Sequence, residues 1–238
     1  MLHIILLDCA LELVPSEISS LKQIQKHAFR RGKKPSEILL DQTHHGQSMT
    51  KLSQSERRGR PDITFLSLIS ILETPLCKEG LLSVHLQLQD GRIVEVNPEV
   101  RLPRNYDRFV GLIEQLLIHG RVPPQGDPLL RINQSSLEDL LTELKTKSDY
   151  AKTLLAIEGG QQATREKLGN LLPQDPSVPV IVGIGAFPHG DLSEETASMF
   201  EIHLELDKEV MMAWHVCAEL LWAYSLSIGA IDTRYSAT

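Results

Sequence analysis

Aromatic residues make up only 5% of this 238-residue chain, too few for nucleic-acid recognition that depends mainly on stacking bases across a broad aromatic platform. An excess of positive charge is also missing. The formal net charge is -7, which speaks against a general nucleic-acid coat protein. Cysteine is scarce: Cys9, Cys77 and Cys217 have no CxxC spacing, and each lies in or beside an apolar stretch. That usage fits a reduced cytosolic compartment. No apolar run approaches the roughly 20 residues that span a bilayer. The opening MLHIILLDCALELVP lacks a basic flank and is interrupted by Asp8 and Glu12, so it reads as a buried first strand and not as a signal peptide. Gly-x-Ser-x-Gly, Cys/His nucleophile and P-loop signatures are all absent.

What is present is ordinary in bulk. With 42% hydrophobic and 23% charged residues, the chain reads as a soluble globular protein, long enough for one large domain with a substantial core. We expect a single domain over 1–238, with a hairpin-containing insertion at 78–104 and a Pro/Gly-rich internal linker at 121–136. Charge is unevenly spread. Residues 22–34 hold Lys22, Lys26, Arg30, Arg31, Lys33 and Lys34 with no acid, whereas 191–209 hold seven acids against Lys208 alone.

The periodicity predicts a helix from Pro15-Ser16 to about Arg31, capped by Ser16, and a short strand over Ile38–Leu40. A helix follows Pro61, and strands over Leu81–Leu88 and Arg92–Val96 are joined at Asp90-Gly91. Over Pro103–Ile118 the apolar residues Tyr106, Phe109, Val110, Ile113, Leu116 and Leu117 share one helical arc, leaving Arg104 and Arg108 on the opposite side. The last third alternates between strands and helices. Thr153–Ile157 is a strand, Ala163–Leu172 a helix and Pro179–Phe187 a continuous apolar strand of the kind central to parallel sheets. A further strand near Phe200–Leu204 precedes a long helix from about Glu209 to Ile228. That helix is apolar around more of its circumference than one interface needs, which suggests a second subunit.

Two regions carry chemistry. In the first, Arg58, Arg60, Arg101, Arg104 and Arg108 sit in stiff, proline-bearing contexts. A guanidinium offers a planar fork of donors suited to phosphate, so the ligand suggested is RNA; the plainer reading is a solvated face with ion pairs such as Arg104 or Arg108 with Asp107. Asp62 is placed to orient Arg60, or else to cap the following helix. The second region is GIGAFPHGD at 183–191, after a buried strand, where open α/β sheets bind ligands. It lacks the GxGxxG pattern of a dinucleotide site. His44-His45 has no third ligand at useful spacing, so a phosphate-contacting or turn-stabilising role fits better than a metal.

At these residues the sequence resembles the nucleolar essential protein family of SPOUT-class methyltransferases, which methylate N(1) of a pseudouridine in small-subunit ribosomal RNA. The matching elements are LLDQTHH at 39–45, RPDI at 60–63, PL at 75–76 with GLL at 80–82, VNP at 96–98, RLPR at 101–104, DRF at 107–109, and GAF at 185–187 with His189-Gly190. The resemblance implies an α/β knot: a parallel sheet with helices on both faces and a C-terminal trefoil knot, here with an inserted hairpin. It implies S-adenosylmethionine as cofactor, S-adenosylhomocysteine as product and no metal. The implied cofactor residues are Ile157, Gly185, Gly190 and Leu206, Asp207, Lys208, Glu209, Val210 and Met211. Arg60, Arg101, Arg104 and Arg108 are the implied RNA contacts, with Asp62 steadying Arg60 for substrate positioning; no general base is identified. Implied partners are small-subunit ribosomal RNA, a second copy of the chain and small-subunit ribosomal proteins, with no membrane. The setting would be cytoplasmic for an archaeal-like protein and nucleolar for a eukaryotic one. Alternatives are methylation of another RNA position and a ribosome-assembly RNA-binding factor. The chain departs from the family at Phe65, where a histidine is common, at Cys77, a frequent asparagine, and at 209–213, where Glu-Val-Met-Met-Ala replaces a Pro-Leu-Ser-Ala-like turn.

Overall fold

The computed structural model describes residues 1–236 except 147 and 149. The first half runs β1 (Leu2–Cys9), α1 (Ser16–Ser19), α2 (Lys22–Arg31), α3 (Gln42–Met49), α4 (Pro61–Leu72), α5 (Pro75–Lys78), β2 (Leu82–Leu88), β3 (Ile93–Val96) and α6 (Tyr106–His119). Next come β4 (Arg121–Val122), β5 (Leu130–Asn133), α7 (Leu137–Lys145), β6 (Lys152–Gln162) and α8 (Arg165–Leu171). The chain then continues through β7 (Val180–Gly185), α9 (Glu194–Ser198), β8 (Ile202–Glu205), α10 (Ala213–Ser227) and α11 (Ala230–Ser236).

All eight strands join one sheet in the order β4-β5-β3-β2-β1-β7-β6-β8. The expected parallel sheet is present, and its antiparallel part is larger than the one expected hairpin. β2, β1, β7, β6 and β8 are parallel, whereas β3, β5 and β4 extend the β2 edge in antiparallel fashion. Residue patterning accounts for the difference. β1 and β7 are apolar at almost every position because both faces are covered, whereas β2 alternates buried Leu82, Val84, Leu86 and Leu88 with half-buried Ser83, His85 and Gln87. A strand buried on one face suits hairpin pairing. Residues 121–136, read from composition as a linker, hold β4 and β5 and so close this antiparallel edge.

β1 divides the core. Leu2, Ile4 and Leu6 pack in the large cluster with α4, α6 and α10, while Ile5 and Leu7 pack with Leu137, Leu140, Leu141 and Leu144 of α7 and with Phe200. α7 escaped the periodicity reading, although Ser136 and Asp139 form a capping box at its start. A third cluster of Val14, Ile18, Ile24, Ala28, Ile38 and Leu40 holds α1 and α2 together.

Several boundaries differ from expectation. The helix expected over 16–31 is two helices, and the residue preceding α1 is Pro15, so Ser16 does not cap it. Ile38–Leu40 makes only a bridge, Leu13 to Leu39, and α3 follows at once, capped by the Asp41 carboxylate accepting from Thr43 N at 2.8 Å. The final long helix begins at Ala213 and not at Glu209, because Asp207 accepts the amide of Glu209 at 2.9 Å and holds that stretch in a turn.

Candidate cofactor cleft and RNA-facing surface

A cavity of about 440 Å³ opens beyond the ends of β7 and β8, beside residues 156–158 in the middle of β6. β7 stops at Gly185, where Ala186 N donates to Leu7 O at 2.8 Å and turns the chain into the loop 187–191. Arg57 holds that loop. Its Nη1 donates to Asp191 O at 2.7 Å and to His189 O at 3.4 Å, and its guanidinium lies 4.0 Å from the centre of the Phe187 ring. Asp8 anchors the arginine from the other side at 3.0 Å. Asp8 has a left-handed φ of 52°, a conformation that aspartate tolerates better than most residues. Gly190 has φ +85°, and a Cβ there would lie 2.8 Å from Arg57 Nη1. Glycine is therefore required at 190 both by conformation and by the clamp.

The opposite wall comes from Ile157 on β6 and the segment after β8. Ile157, Gly185, Gly190, Leu206, Asp207, Glu209, Val210 and Met211 line this one cavity. Lys208, expected with them, is exposed and is not part of the lining. Five carboxylates, Glu158, Asp191, Glu205, Asp207 and Glu209, stand around the cleft, and among the described residues neither lysine nor arginine lines it. Such a site favours a cationic ligand with an apolar body. Arg57, which organises the loop, was not among the arginines that the sequence reading singled out.

A second cavity lies at the start of α4, lined by Gln42, Thr43, Arg60, Asp62 and Tyr106. Asp62 accepts from Arg60 Nε and Nη2 at 2.8 Å each, a two-point pair that fixes the guanidinium plane and raises its pKa further. Asp62 thus orients Arg60 and does not cap α4, whose preceding residue is Arg60 itself. Beside this pair, Tyr106 O–H donates to Asp41 Oδ2 at 2.7 Å. Burial, and then that carboxylate, push the phenol's pKa up, so it remains a donor. Asp41 N donates to His45 Nδ1 at 3.0 Å. The neutral His45 ring therefore carries its proton on Nε2 and donates to His27 Nδ1 at 2.7 Å. Burial, and then His27, lower the pKa of His45 to about 4. His45 thus stabilises no turn: it lies within α3 and ties the residue that caps this helix to His27 of α2. Among the described residues, no three His, Cys, Asp or Glu side chains are grouped to hold a metal ion.

The remaining arginines separate. Arg58 is consumed by a two-point pair with Glu12 at 2.6 and 2.7 Å, which removes it from the set expected to meet phosphate. Arg101, Arg104 and Arg108 are exposed. Arg104 precedes α6 and does not lie within it, and its pairing is a 3.9 Å contact with Glu73. Arg57 holds the loop that walls the first cavity and Arg60, three residues on, lines the second, so one short segment joins the glycine loop to the arginine surface.

Against known proteins, the model of the EMG1/NEP1 methyltransferase family matches residues 4–225. The chain is 44% identical over 214 residues to the ribosomal RNA small subunit methyltransferase Nep1 of Staphylothermus marinus, covering 90% of each chain. It is 42% identical over 229 residues to the protein of the same name from Thermococcus sibiricus, covering 96% of this chain and 99% of the relative. The crystal structure of Archaeoglobus fulgidus Nep1 bound to S-adenosylhomocysteine superposes with a TM-score of 0.83 at 34% identity, covering 96% of this chain and 98% of the other.

Proposed function

Because this chain belongs to the EMG1/NEP1 methyltransferase family, we propose that it transfers a methyl group from S-adenosylmethionine to small-subunit ribosomal RNA, at N(1) of a pseudouridine, during small-subunit biogenesis. The observation that carries this reading is the pairing of two cavities through residues 57–60. One is acidic and glycine-looped, and the other is built on an arginine held rigid by a carboxylate.

The residues of the first cavity fit the cofactor. Its carboxylates complement the positive sulfonium and ammonium groups, and Ile157, Leu206, Val210 and Met211 supply apolar walls. Gly185 and Gly190 let the loop backbone approach closely. When bound, S-adenosylmethionine supplies an electrophilic methyl group and leaves as S-adenosylhomocysteine. The chain's own part is placement. Arg60, held by Asp62, meets the target nucleotide, and Arg101, Arg104 and Arg108 hold flanking phosphates of a splayed-out base. Fixing two reactants in line supplies on the order of 7 kcal/mol or more, so positioning carries much of the rate. A guanidinium beside the reacting imide also favours loss of its proton. The chain acts as a homodimer in the cytoplasm, where ribosomes assemble, in reach of small-subunit ribosomal proteins.

The test is mass analysis of nucleosides from small-subunit RNA incubated with the protein and isotope-labelled cofactor. Labelled N(1)-methylpseudouridine is the expected product. A methyl group on another nucleoside would overturn the choice of target, and RNA binding without transfer would make the protein an assembly factor.

A further inference from the structure

Phe29 is 87% exposed in the last turn of α2. A lone exposed apolar side chain is ordinary protein surface, but its surroundings here are not neutral. Lys22, Lys26 and Arg30 form a row at i, i+4 spacing beside it, all exposed. Such a row repels itself along the helix. Among the described residues no carboxylate pairs with these three, whereas Arg31 and Lys33 of the same basic run are both bound to the buried Glu114 at 2.6 Å. The fold therefore neutralises the inner cations of this segment and leaves the outer row open around an aromatic ring.

This face is continuous with the proposed RNA site. Arg30 lines a hollow of about 420 Å³ together with His27, Arg31, His44 and Tyr106. Tyr106 also lines the cavity of Arg60 and Asp62. A track thus runs from Arg60 past Tyr106 to Arg30 and onto the outer face of α2. Sparse aromatics exclude a broad stacking platform, but one ring flanked by cations suits one unpaired base, since every base has a face to stack and its phosphates need countercharge.

We propose that the outer face of α2 is a second contact for the RNA substrate, with Phe29 stacking on an unpaired base outside the target and Lys22, Lys26 and Arg30 holding the adjoining phosphates. This rests on RNA being the substrate. The experiment measures affinity and steady-state methyl transfer with a small-subunit ribosomal RNA hairpin for the wild type, Phe29→Ala, Phe29→Trp and Arg60→Ala. Phe29→Ala should raise both Kd and KM for RNA by roughly 5- to 150-fold, the range that loss of a base stack produces. Phe29→Trp should recover most of that loss, and cofactor affinity should stay constant. Equal RNA binding by wild type and Phe29→Ala, with Arg60→Ala weakened, would overturn this contact while leaving the substrate reading intact, and would point to a protein partner for α2. Failure of tryptophan to rescue alanine would overturn stacking. If the wild type bound RNA through Phe29 yet transferred no methyl group, the contact would stand and the assigned activity would fall.

Discussion

Arg58 and Arg60 carry the same side chain two positions apart, and their partners give them different work. Glu12, distant in sequence, closes on Arg58 and buries the pair to about a fifth and a quarter of full side-chain exposure. Asp62 pairs with Arg60 on one edge only, through Nε and Nη2, at a cavity mouth. Replacing Asp62 with glycine leaves the charge of Arg60 but frees its direction, and it removes an acid from the first turn of α4, where the helix dipole favours one. Asp62→Gly should lose about 1 kcal/mol of stability, a melting decrease of roughly 2–4 °C, and tenfold or more in methyl transfer. Wild-type melting and turnover would show that Asp62 merely decorates the surface. His45 yields a pH prediction. The unfolded chain binds a proton there near 6.5, and the folded chain only near 4, so the unfolded state holds more protons between these values. Stability should therefore be fully present above pH 6.5 and fall as the pH drops toward 4. Denaturant titrations across that window should show the loss shrink in His45→Asn, and an unchanged slope would remove His45 as its source.

Among the elements, α6 shows how one helix serves core and surface at once. Its inner face buries Phe109, Val110, Ile113 and Leu116, and with them Glu114, which is fully buried. That acid accepts from Arg31 at 2.6 and 3.0 Å, from Lys33 at 2.6 Å and from Leu39 N at 2.9 Å. It joins the C-terminal end of α2, the Leu39 bridge and α6 in one knot of charge. Replacing it with leucine strands two cations and a buried amide. Glu114→Leu should cost about 2–3 kcal/mol by urea denaturation; both cations remain a quarter to a third exposed, so water softens the loss. A neutral result would mean that α2 docks through its apolar residues alone.

At the scale of the molecule, α10 buries Val216, Cys217, Leu220, Leu221 and Tyr224 against the core. On its other side Trp222 is 62% exposed and Leu226 54%, in line at i, i+4 spacing. This exposed pair is the part of α10 that the proposed homodimer would cover. Trp222→Glu should turn a dimer into a monomer in sedimentation at micromolar concentration while leaving the far-UV circular dichroism unchanged. A wild-type monomer under the same conditions would remove the interface.

Sequence alone determined what local patterning can carry. The apolar run of β7 fixed a central strand, the alternation in β2 with Asp90-Gly91 fixed a hairpin, and the phase of α6 fixed which of its faces is buried. The two-residue spacing of Arg60 and Asp62 already allowed their pairing. Local signals also misled where neighbours had the final word: no helix was expected after the short strand at 38–40, yet Gln-Thr-His-His-Gly opens α3 once Asp41 caps it, and the polar stretch at 121–136 supplies sheet edges. What only tertiary structure decided rests on contacts across long separations. Arg57 meets the loop at 189–191, Glu12 withdraws Arg58, Glu114 neutralises Arg31 and Lys33 but leaves Arg30 open, and the ends of β7 and β8 meet the middle of β6 at one cleft. Spacing along the chain sets which side chains share a face. Which charge is spent on the fold and which remains for a ligand depends on partners that the chain path alone brings within 3 Å.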